Sequence, residues 1–258
     1  MSAPSVRAVL FDVEGTLAVA GKAVDGAART IETLAERGIP WSFVTNTTSR
    51  PRRVLAAELS RMGLPAERDR IFTAPLAARA FLLERGWNRA HLLVREAVLE
   101  DLSGIENDDD SPEAVVLGDL GEQTTFALLN RAFRLLLSGA AFVTLARNRY
   151  YKGVEGLLLD QGPFVAALEY ATGKEAILVG KPAPEFFARA LAPLGAEPGE
   201  ALVVGDDLEA DVGGAQRAGM RGALVRTGKF RAEELTRSEI SPDAVLDSVA
   251  DLPRWLGI

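Results

Sequence analysis

Short apolar runs alternate with segments of helical periodicity along the whole chain. The apolar runs predict strands at 6–11, 41–44, 71–72, 91–94, 114–117, 142–145, 177–179, 202–204 and 223–225. Apolar residues spaced by three and four positions predict helices at 27–35, 51–63, 75–86, 126–137, 164–171, 184–194 and 210–218, with another near the C-terminus. Because this alternation is typical of sheets covered on both faces, we predict an α/β fold with a doubly wound parallel sheet.

The middle of the chain has the form of an inserted domain. It repeats the strand–helix alternation, and no linker-like tract or internal repeat marks its boundaries. Within it, the acidic run 108–112 is most simply an exposed loop, and the stretch 149–163 is expected to be irregular.

Polar side chains follow several of the predicted strands directly. They are Asp12, Thr45, Asn46, Lys181, Asp206 and Asp207, with Asp211 one helical turn after Asp207. In an open α/β sheet, ligands bind beyond the carboxyl ends of the strands. If the strands are neighbours, these residues meet at one edge of the sheet, where Asp12 would suit a nucleophile or a metal ligand.

Such a cluster of carboxylates is expected to need a cation, since neighbouring anions raise one another's pKa. A hard divalent ion with oxygen ligands resolves the repulsion, and Mg²⁺ is the natural candidate. Lys181 and the hydrogen-bond donors of Thr45 and Asn46 then remain to bind an anionic substrate. Carboxylates, Mg²⁺, a lysine and hydroxyl or amide donors are together typical of a phosphoryl-transfer site. Each residue alone has a simpler interpretation, such as helix capping by Asp207 or a surface charge at Lys181, but their joint occurrence at strand ends favours the site.

Composition excludes several kinds of catalytic site, metal site and binding partner. The chain has 258 residues and no cysteine, which excludes thiol nucleophiles, disulfides and thiolate metal sites. His91 is the only histidine and has the setting of a strand residue, so a histidine-rich zinc site is excluded. A formal net charge of −7 argues against nucleic acid as a partner. With no apolar run near the ~20 residues of a membrane span and no signal-peptide pattern, we expect no membrane association and a cytoplasmic location.

The sequence argues against two kinds of glycine-rich phosphate-binding loop. The stretch 222–229 resembles a Walker A loop, but its glycine spacing is one residue too long, and Phe230 stands where Ser or Thr is needed. The first strand is not followed by the glycine fingerprint of dinucleotide-binding proteins.

Four ordered motifs make the chain similar to the haloacid dehalogenase (HAD) superfamily of phosphatases. They are Asp12-x-Glu14-Gly-Thr-Leu, Thr45-Asn46, Lys181-Pro182 and Gly205-Asp206-Asp207-x-x-x-Asp211. The long segment between the second and third motifs resembles the cap of the NagD-like (class IIA) branch. The resemblance implies a Rossmann-like HAD core domain at 1–76 and 178–258, and an inserted α/β cap domain at 77–177.

The resemblance also implies a role for each motif residue. Asp12 would attack phosphorus and form an aspartyl phosphate, and Glu14 and Lys181 complete the implied catalytic set. The implied Mg²⁺ ligands are Asp12, the backbone carbonyl of Glu14, and Asp206. Asp207 and Asp211 would hold the waters of the metal or Lys181. The implied residues for binding a small phosphorylated substrate are Asp12, Val13, Glu14, Thr45, Asn46 and Lys181.

The cap implied by the resemblance would close over the site and choose the leaving group, most directly through its stretch 148–163. A homodimer formed through the cap is implied as well.

Glu14 departs from the pattern of the superfamily. Most of its phosphatases have Asp at this position, where it protonates the leaving group and later activates water. The alternative function is therefore a non-catalytic or weakly active protein that binds phosphate or a protein partner. A receiver-like signalling domain is disfavoured, because its acidic pair would follow the first strand and not a late one.

Overall fold

The computed structural model describes residues 6–153 and 156–258. Its strands are β1 (Ala8–Asp12), β2 (Ala18–Val19), β3 (Lys22–Ala23), β4 (Trp41–Thr45), β5 (Ile71–Thr73), β6 (Arg89–Leu93), β7 (Glu106–Asn107), β8 (Ala114–Leu117), β9 (Ala141–Thr144), β10 (Tyr150–Gly153), β11 (Gly156–Leu159), β12 (Ile177–Leu178), β13 (Ala201–Gly205), β14 (Arg221–Val225) and β15 (Ala244–Leu246).

The α-helices alternate with these strands. They are α1 (Ala27–Glu36), α2 (Arg52–Arg61), α3 (Ala74–Glu84), α4 (Phe126–Leu137), α5 (Gly162–Thr172), α6 (Pro184–Leu191), α7 (Gly214–Arg217), α8 (Ala232–Arg237) and α9 (Leu252–Leu256). A π-helical segment, Leu208–Gly213, precedes α7. Among the described residues, no helix combines the length and the apolar character needed to cross a bilayer.

The chain divides into two compact units. The first comprises Met1–Thr45, Arg52–Phe72 and Lys181–Ile258, and the second comprises Asn46–Pro51 and Thr73–Gly180. The segment 77–177 lies within the second unit. Residues 46–51 also belong to the second unit, although they precede the expected cap. One of their contacts within it is a hydrogen bond from the Asp119 N–H to the Thr48 hydroxyl (3.3 Å).

The first unit is built on a six-stranded sheet with the order β15-β14-β13-β1-β4-β5. β1 pairs in parallel with β13 and β4, and β13 and β15 pair in parallel with β14. β1, β4 and β13 are buried along their whole length. Ile31 of α1 belongs to the same apolar cluster as Phe11 and Phe43, while α6 packs against β1 and β4. The carboxyl ends of the parallel strands therefore open at one edge of a buried sheet.

The second unit carries its own parallel sheet, with the order β12-β9-β8-β6-β7. Helices α4 and α5 pack against each other, and Leu136, Phe142 and Val165 are buried in its apolar cluster. Together the two sheets confirm the α/β fold class. Helix α4 has the bounds expected from its apolar periodicity.

The stretch 149–163 is not irregular, contrary to expectation. β10 and β11 form an antiparallel hairpin in which Tyr150 pairs with Leu159 and Tyr151 pairs with Leu158. Aromatic and aliphatic cross-strand pairs of this kind stabilise a two-stranded ribbon. Residues 154–155 lie outside the described residues, and the rest of the stretch leads into α5.

The acidic run 108–112 is a loop, as expected, and several contacts hold its conformation. The Asp108 carboxylate accepts backbone hydrogen bonds from Asp110 and Ser111, and it pairs with Arg89 (3.1 Å). Asp109 Oδ1 lies 2.7 Å from Nδ1 of the buried His91 in β6. These contacts give the run a structural role within the second unit.

Candidate active site

Four charged side chains converge at the carboxyl edge of the first unit's sheet. Asp12 is the last residue of β1, and Asp206 follows β13, the parallel neighbour of β1. Lys181 Nζ lies 2.5 Å from Asp12 Oδ1 and 2.6 Å from Asp211 Oδ1. All four side chains are buried, with at most 5% exposure for any of these residues. The sheet thus joins residues that are as far apart as 12 and 211 in sequence.

The cluster carries more negative than positive charge. Oxygen atoms of Asp12, Asp206 and Asp211 all lie within 4.8 Å of one another. Burial raises the pKa of Asp206 to about 7, and the carboxylates of Asp12 and Asp211 act in the same direction. Burial also raises the pKa of Asp211 to about 6, although the ammonium of Lys181 opposes the shift.

The surroundings of Lys181 favour its charged form. Burial would lower the pKa of Lys181, but the adjacent carboxylates of Asp12 and Asp211 hold it above its usual value. Lys181 is therefore charged, and it neutralises part of the cluster. Because buried carboxylates are costly unless paired or bound to a cation, the group can accommodate a divalent metal ion.

The loop after β1 turns sharply and orients Asp12. Gly15 has a φ of +93°, which a side chain would strain, and a Cβ there would overlap the Asp206 carboxylate. The turn closes with a hydrogen bond from the Leu17 N–H to the Val13 carbonyl (3.0 Å). The buried Thr16 hydroxyl donates to Asp12 Oδ2 (3.3 Å). The loop thus brings Asp12 and Asp206 close together and holds the second oxygen of Asp12.

Glu14 and Val13 differ in exposure within this loop. The Val13 side chain is buried, whereas Glu14 is exposed and forms an isolated bridge with Ala18. The backbone of residue 14 lies on the loop that follows Asp12.

Asp207 caps the helical segment that carries Asp211. Its Oδ1 accepts the N–H of Ala210 (2.9 Å), and its own N–H donates to Asp211 Oδ2 (3.1 Å). A Cβ at position 205 would overlap the Asp211 carboxylate, which explains the glycine before Asp206. Asp207 is therefore a helix N-cap, as its simpler interpretation has it. Its backbone N–H also holds the Asp211 carboxylate, whose other oxygen contacts Lys181.

Thr45 and Asn46 follow the other neighbour of β1. Thr45 is the buried last residue of β4, whose Val44 is in register with Asp12. Asn46 is half-buried and belongs to the second unit. Thr45 therefore ends at the same edge of the sheet as Asp12.

Three residues of the stretch 222–229, which does not fit a Walker A loop, contact the site. The Thr227 hydroxyl donates to the Gly15 carbonyl (2.5 Å), and the Lys229 N–H donates to Asp206 Oδ2 (2.6 Å). Gly228, between them, has a φ of +63°. The signal in the sequence was the position of this run directly after a predicted strand, at 223–225. The run carries no carboxylate, and its failure as a Walker A loop left it outside the predicted site.

Comparisons with known proteins identify the family. A family model described as haloacid dehalogenase-like hydrolase matches residues 9–106, and one described as HAD-hydrolase-like matches residues 178–252. Haloacid dehalogenase-like hydrolase domain-containing protein 2 of Homo sapiens is 45% identical over 242 residues, 94% of this chain and 92% of that protein.

A second relative and a solved structure support the same family. Phospholysine phosphohistidine inorganic pyrophosphate phosphatase of Bos taurus is 40% identical over 252 residues, which is 95% of this chain and 92% of that protein. The crystal structure of 4-nitrophenylphosphatase from Thermotoga maritima matches with a TM-score of 0.92 at 27% identity and covers 98% of each chain.

Proposed function

This chain belongs to the haloacid dehalogenase-like hydrolases and is a phosphatase, and we propose that it is a member of their NagD-like branch with the following mechanism. It hydrolyses small phosphorylated substrates in a Mg²⁺-dependent reaction through an aspartyl phosphate on Asp12. The observation that carries the proposal is the buried contact of Asp12 with Lys181, beside Asp206 and Asp211.

The residues present suit a magnesium ion. In this proposal the ligands are the carboxylates of Asp12 and Asp206 and the backbone carbonyl of Glu14. The fit rests on three buried carboxylates whose oxygens lie within 4.8 Å of one another, with the single ammonium of Lys181 between two of them. Burial, and after it the charges of Asp12 and Asp211, raise the pKa of Asp206, which a bound cation would oppose. When bound, Mg²⁺ would offset that charge and polarise oxygens of the phosphoryl group.

Asp12 acts as the nucleophile. One carboxylate oxygen bonds to phosphorus while the bond from phosphorus to the leaving oxygen breaks, and the leaving oxygen takes up a proton. Water then attacks the aspartyl phosphate, which releases inorganic phosphate and restores Asp12. Lys181 offsets negative charge on Asp12 and on the transferring group, and Asp211 holds the Lys181 ammonium in place (2.6 Å).

The remaining residues bind and select the substrate. Thr45, Asn46 and the backbone at Val13 donate hydrogen bonds to phosphoryl oxygens, and Asp207 supports the position of Asp211. Residues 77–177 are assigned to the cap, whose stretch 148–163 chooses the leaving group; residues 154–155 of that stretch lie outside the described residues.

Glu14 serves as the acid and base in this proposal, with reduced efficiency. The longer side chain replaces the usual Asp, so proton transfer to the leaving oxygen is less well aligned. The alternative of a non-catalytic binding protein is less well supported, because a binding role gives no reason to keep the buried, lysine-paired Asp12.

The decisive experiment compares Asp12→Asn with the wild type. The amide cannot form an acyl phosphate, so turnover of 4-nitrophenyl phosphate with Mg²⁺ should fall by several orders of magnitude, roughly 10³ or more. Rapid quenching should also trap a phosphorylated wild-type protein and no phosphorylated variant. Asp110→Asn, at an aspartate with a 97% exposed side chain, is the matched control and should keep wild-type turnover. An Asp12→Asn protein that turns over normally would exclude Asp12 as the nucleophile.

A homodimer through the second unit is part of the same proposal. The β10–β11 hairpin exposes a row of large apolar side chains, with exposures of 69% for Leu157 and 65% for Leu159. Contiguous exposed apolar surface is typical of association sites, and a second copy of the chain is the partner proposed here.

A further inference from the structure

The segment that follows β14 reaches two different parts of the catalytic cluster. Thr227 Oγ1 donates to the carbonyl of Gly15, on the loop that follows Asp12 (2.5 Å). Two residues later, the backbone N–H of Lys229 donates to Asp206 Oδ2 (2.6 Å). A single short segment therefore contacts both the loop of the nucleophile and a proposed metal ligand.

Two glycines pack against the same oxygen, Oδ2, of the Asp206 carboxylate. A Cβ added to Gly15 or to Gly228 would overlap atoms of that carboxylate, and the Cβ of residue 228 would also lie 2.5 Å from the Gly15 Cα. Both glycines have positive φ, +93° and +63°. The two loops approach each other this closely only because neither carries a side chain at the contact.

The order of the strands explains the arrangement. β13, which leads to Asp206, lies between β14 and β1 in the sheet. The loops that follow β14 and β1 meet across the carboxyl end of β13, where the Thr227 hydroxyl donates to the Gly15 carbonyl. Asp206 is thereby enclosed by backbone from both neighbours.

We propose that Thr227, Gly228 and Lys229 form a clamp that positions the Asp12 loop and Asp206 relative to each other for metal binding and catalysis. This inference rests on the proposed phosphatase mechanism. Thr227 and Gly228 are positioning residues, since they act through Gly15 and Asp206.

The clamp acts on the nucleophile through one peptide group. The Gly15 carbonyl that Thr227 holds belongs to the peptide leading into Thr16, whose hydroxyl donates to Asp12 Oδ2 (3.3 Å). Loss of the Thr227 hydroxyl frees this peptide to rotate and releases the orientation of the Asp12 carboxylate. Hydrogen bonds that orient a ligating or reacting group typically contribute about 10–100-fold to affinity or activity.

The first experiment compares Thr227→Val with Thr227→Ser. Valine keeps the shape of the side chain and removes the donor, so kcat for 4-nitrophenyl phosphate should fall about 10–100-fold while KM changes little. Serine keeps the hydroxyl and should restore most of kcat. A purely structural role would lower the melting temperature without this division between kcat and KM, and a Thr227→Val enzyme with wild-type kcat overturns the inference.

The second experiment measures Mg²⁺ binding without turnover. Gly228→Ala pushes a methyl group into the Asp206 carboxylate, so the Mg²⁺ concentration for half-maximal thermal stabilisation should rise about 10–100-fold. Gly38→Ala is the matched control, because Gly38 has nearly the same φ, +65°, and no atom within 4 Å of its Cβ position. It carries the same backbone strain and should bind Mg²⁺ like the wild type.

The outcomes separate the clamp from the mechanism on which it rests. If Gly228→Ala and Gly38→Ala bind Mg²⁺ equally well, the clamp is refuted while wild-type phosphatase activity stands. A wild-type protein that neither binds Mg²⁺ nor releases phosphate would refute the proposed function and the clamp with it.

Discussion

Lys181→Met tests the charge balance of the buried cluster. Methionine keeps much of the length of lysine but removes the ammonium that lies 2.5 Å from Asp12 and 2.6 Å from Asp211. The Lys181 side chain is 4% exposed, so solvent screens little of this interaction. Removing one partner of a buried ion pair costs about 3–5 kcal/mol, because the other charge stays buried. We expect the free energy of unfolding of the metal-free protein to fall by about that amount at pH 8.

The size of this loss should depend on pH in a defined direction. The folded-state pKa values of Asp206 and Asp211, about 7 and about 6, lie above the usual 3.8. The folded protein therefore binds protons more tightly than the unfolded chain, and the stabilisation from these protons is lost as pH rises through 6 to 7. Without the Lys181 ammonium, the pKa of Asp211 should rise further. Protonation relieves the repulsion more fully at pH 5 than at pH 8, so Lys181→Met should be more destabilising at pH 8.

The assay is urea unfolding of metal-free wild type and variant at both pH values. Lys22→Met, at an exposed lysine in β3, is the control and should change stability little at either pH. Phosphate release measured with Mg²⁺ should show a loss of about 10²–10³ in kcat/KM for Lys181→Met. The reasoning is refuted if Lys181→Met is as stable as the wild type at pH 8, or if its destabilisation is the same at pH 5 and pH 8.

Two further predictions concern Glu14 and the hairpin. Glu14→Asp shortens the side chain by one carbon–carbon bond, about 1.5 Å, and should raise kcat/KM for alkyl phosphates while changing aryl phosphates little, since general acid catalysis matters most for poor leaving groups. If Glu14→Asp instead slows alkyl phosphates as much as Glu14→Ser does, Glu14 is already a well-placed acid. A Leu157→Glu, Leu159→Glu double variant should be monomeric in light scattering where the wild type is dimeric; a monomeric wild type, or a variant that stays dimeric, would exclude the hairpin as the interface.

The positions of single site residues were predictable from local pattern. Asp12 and Thr45 each end an apolar, β-branched run, and Asp206 directly follows one. A residue at the end of a buried parallel strand must lie at the carboxyl edge of the sheet whatever the rest of the chain does. The bounds of α4 followed in the same way from the helical spacing of its apolar residues. The hairpin of β2 and β3, with two residues in each strand, had no such signal, and neither did the pairing of β10 with β11. These strands are too short, or too uniformly apolar, to show a period.

Local patterns along the chain were sufficient to predict which residues the strands deliver to the edge of the sheet, and four ordered motifs were enough to indicate the family. Contacts among those residues were not predictable in this way. The contact of Thr227 with Gly15 arises because β13 lies between β14 and β1. Asp211, which contacts Lys181, lies in the π-helical segment that follows Asp207. The order of the strands and the π-helical form of that segment are set by long-range packing of buried side chains, which a local pattern along the chain does not record.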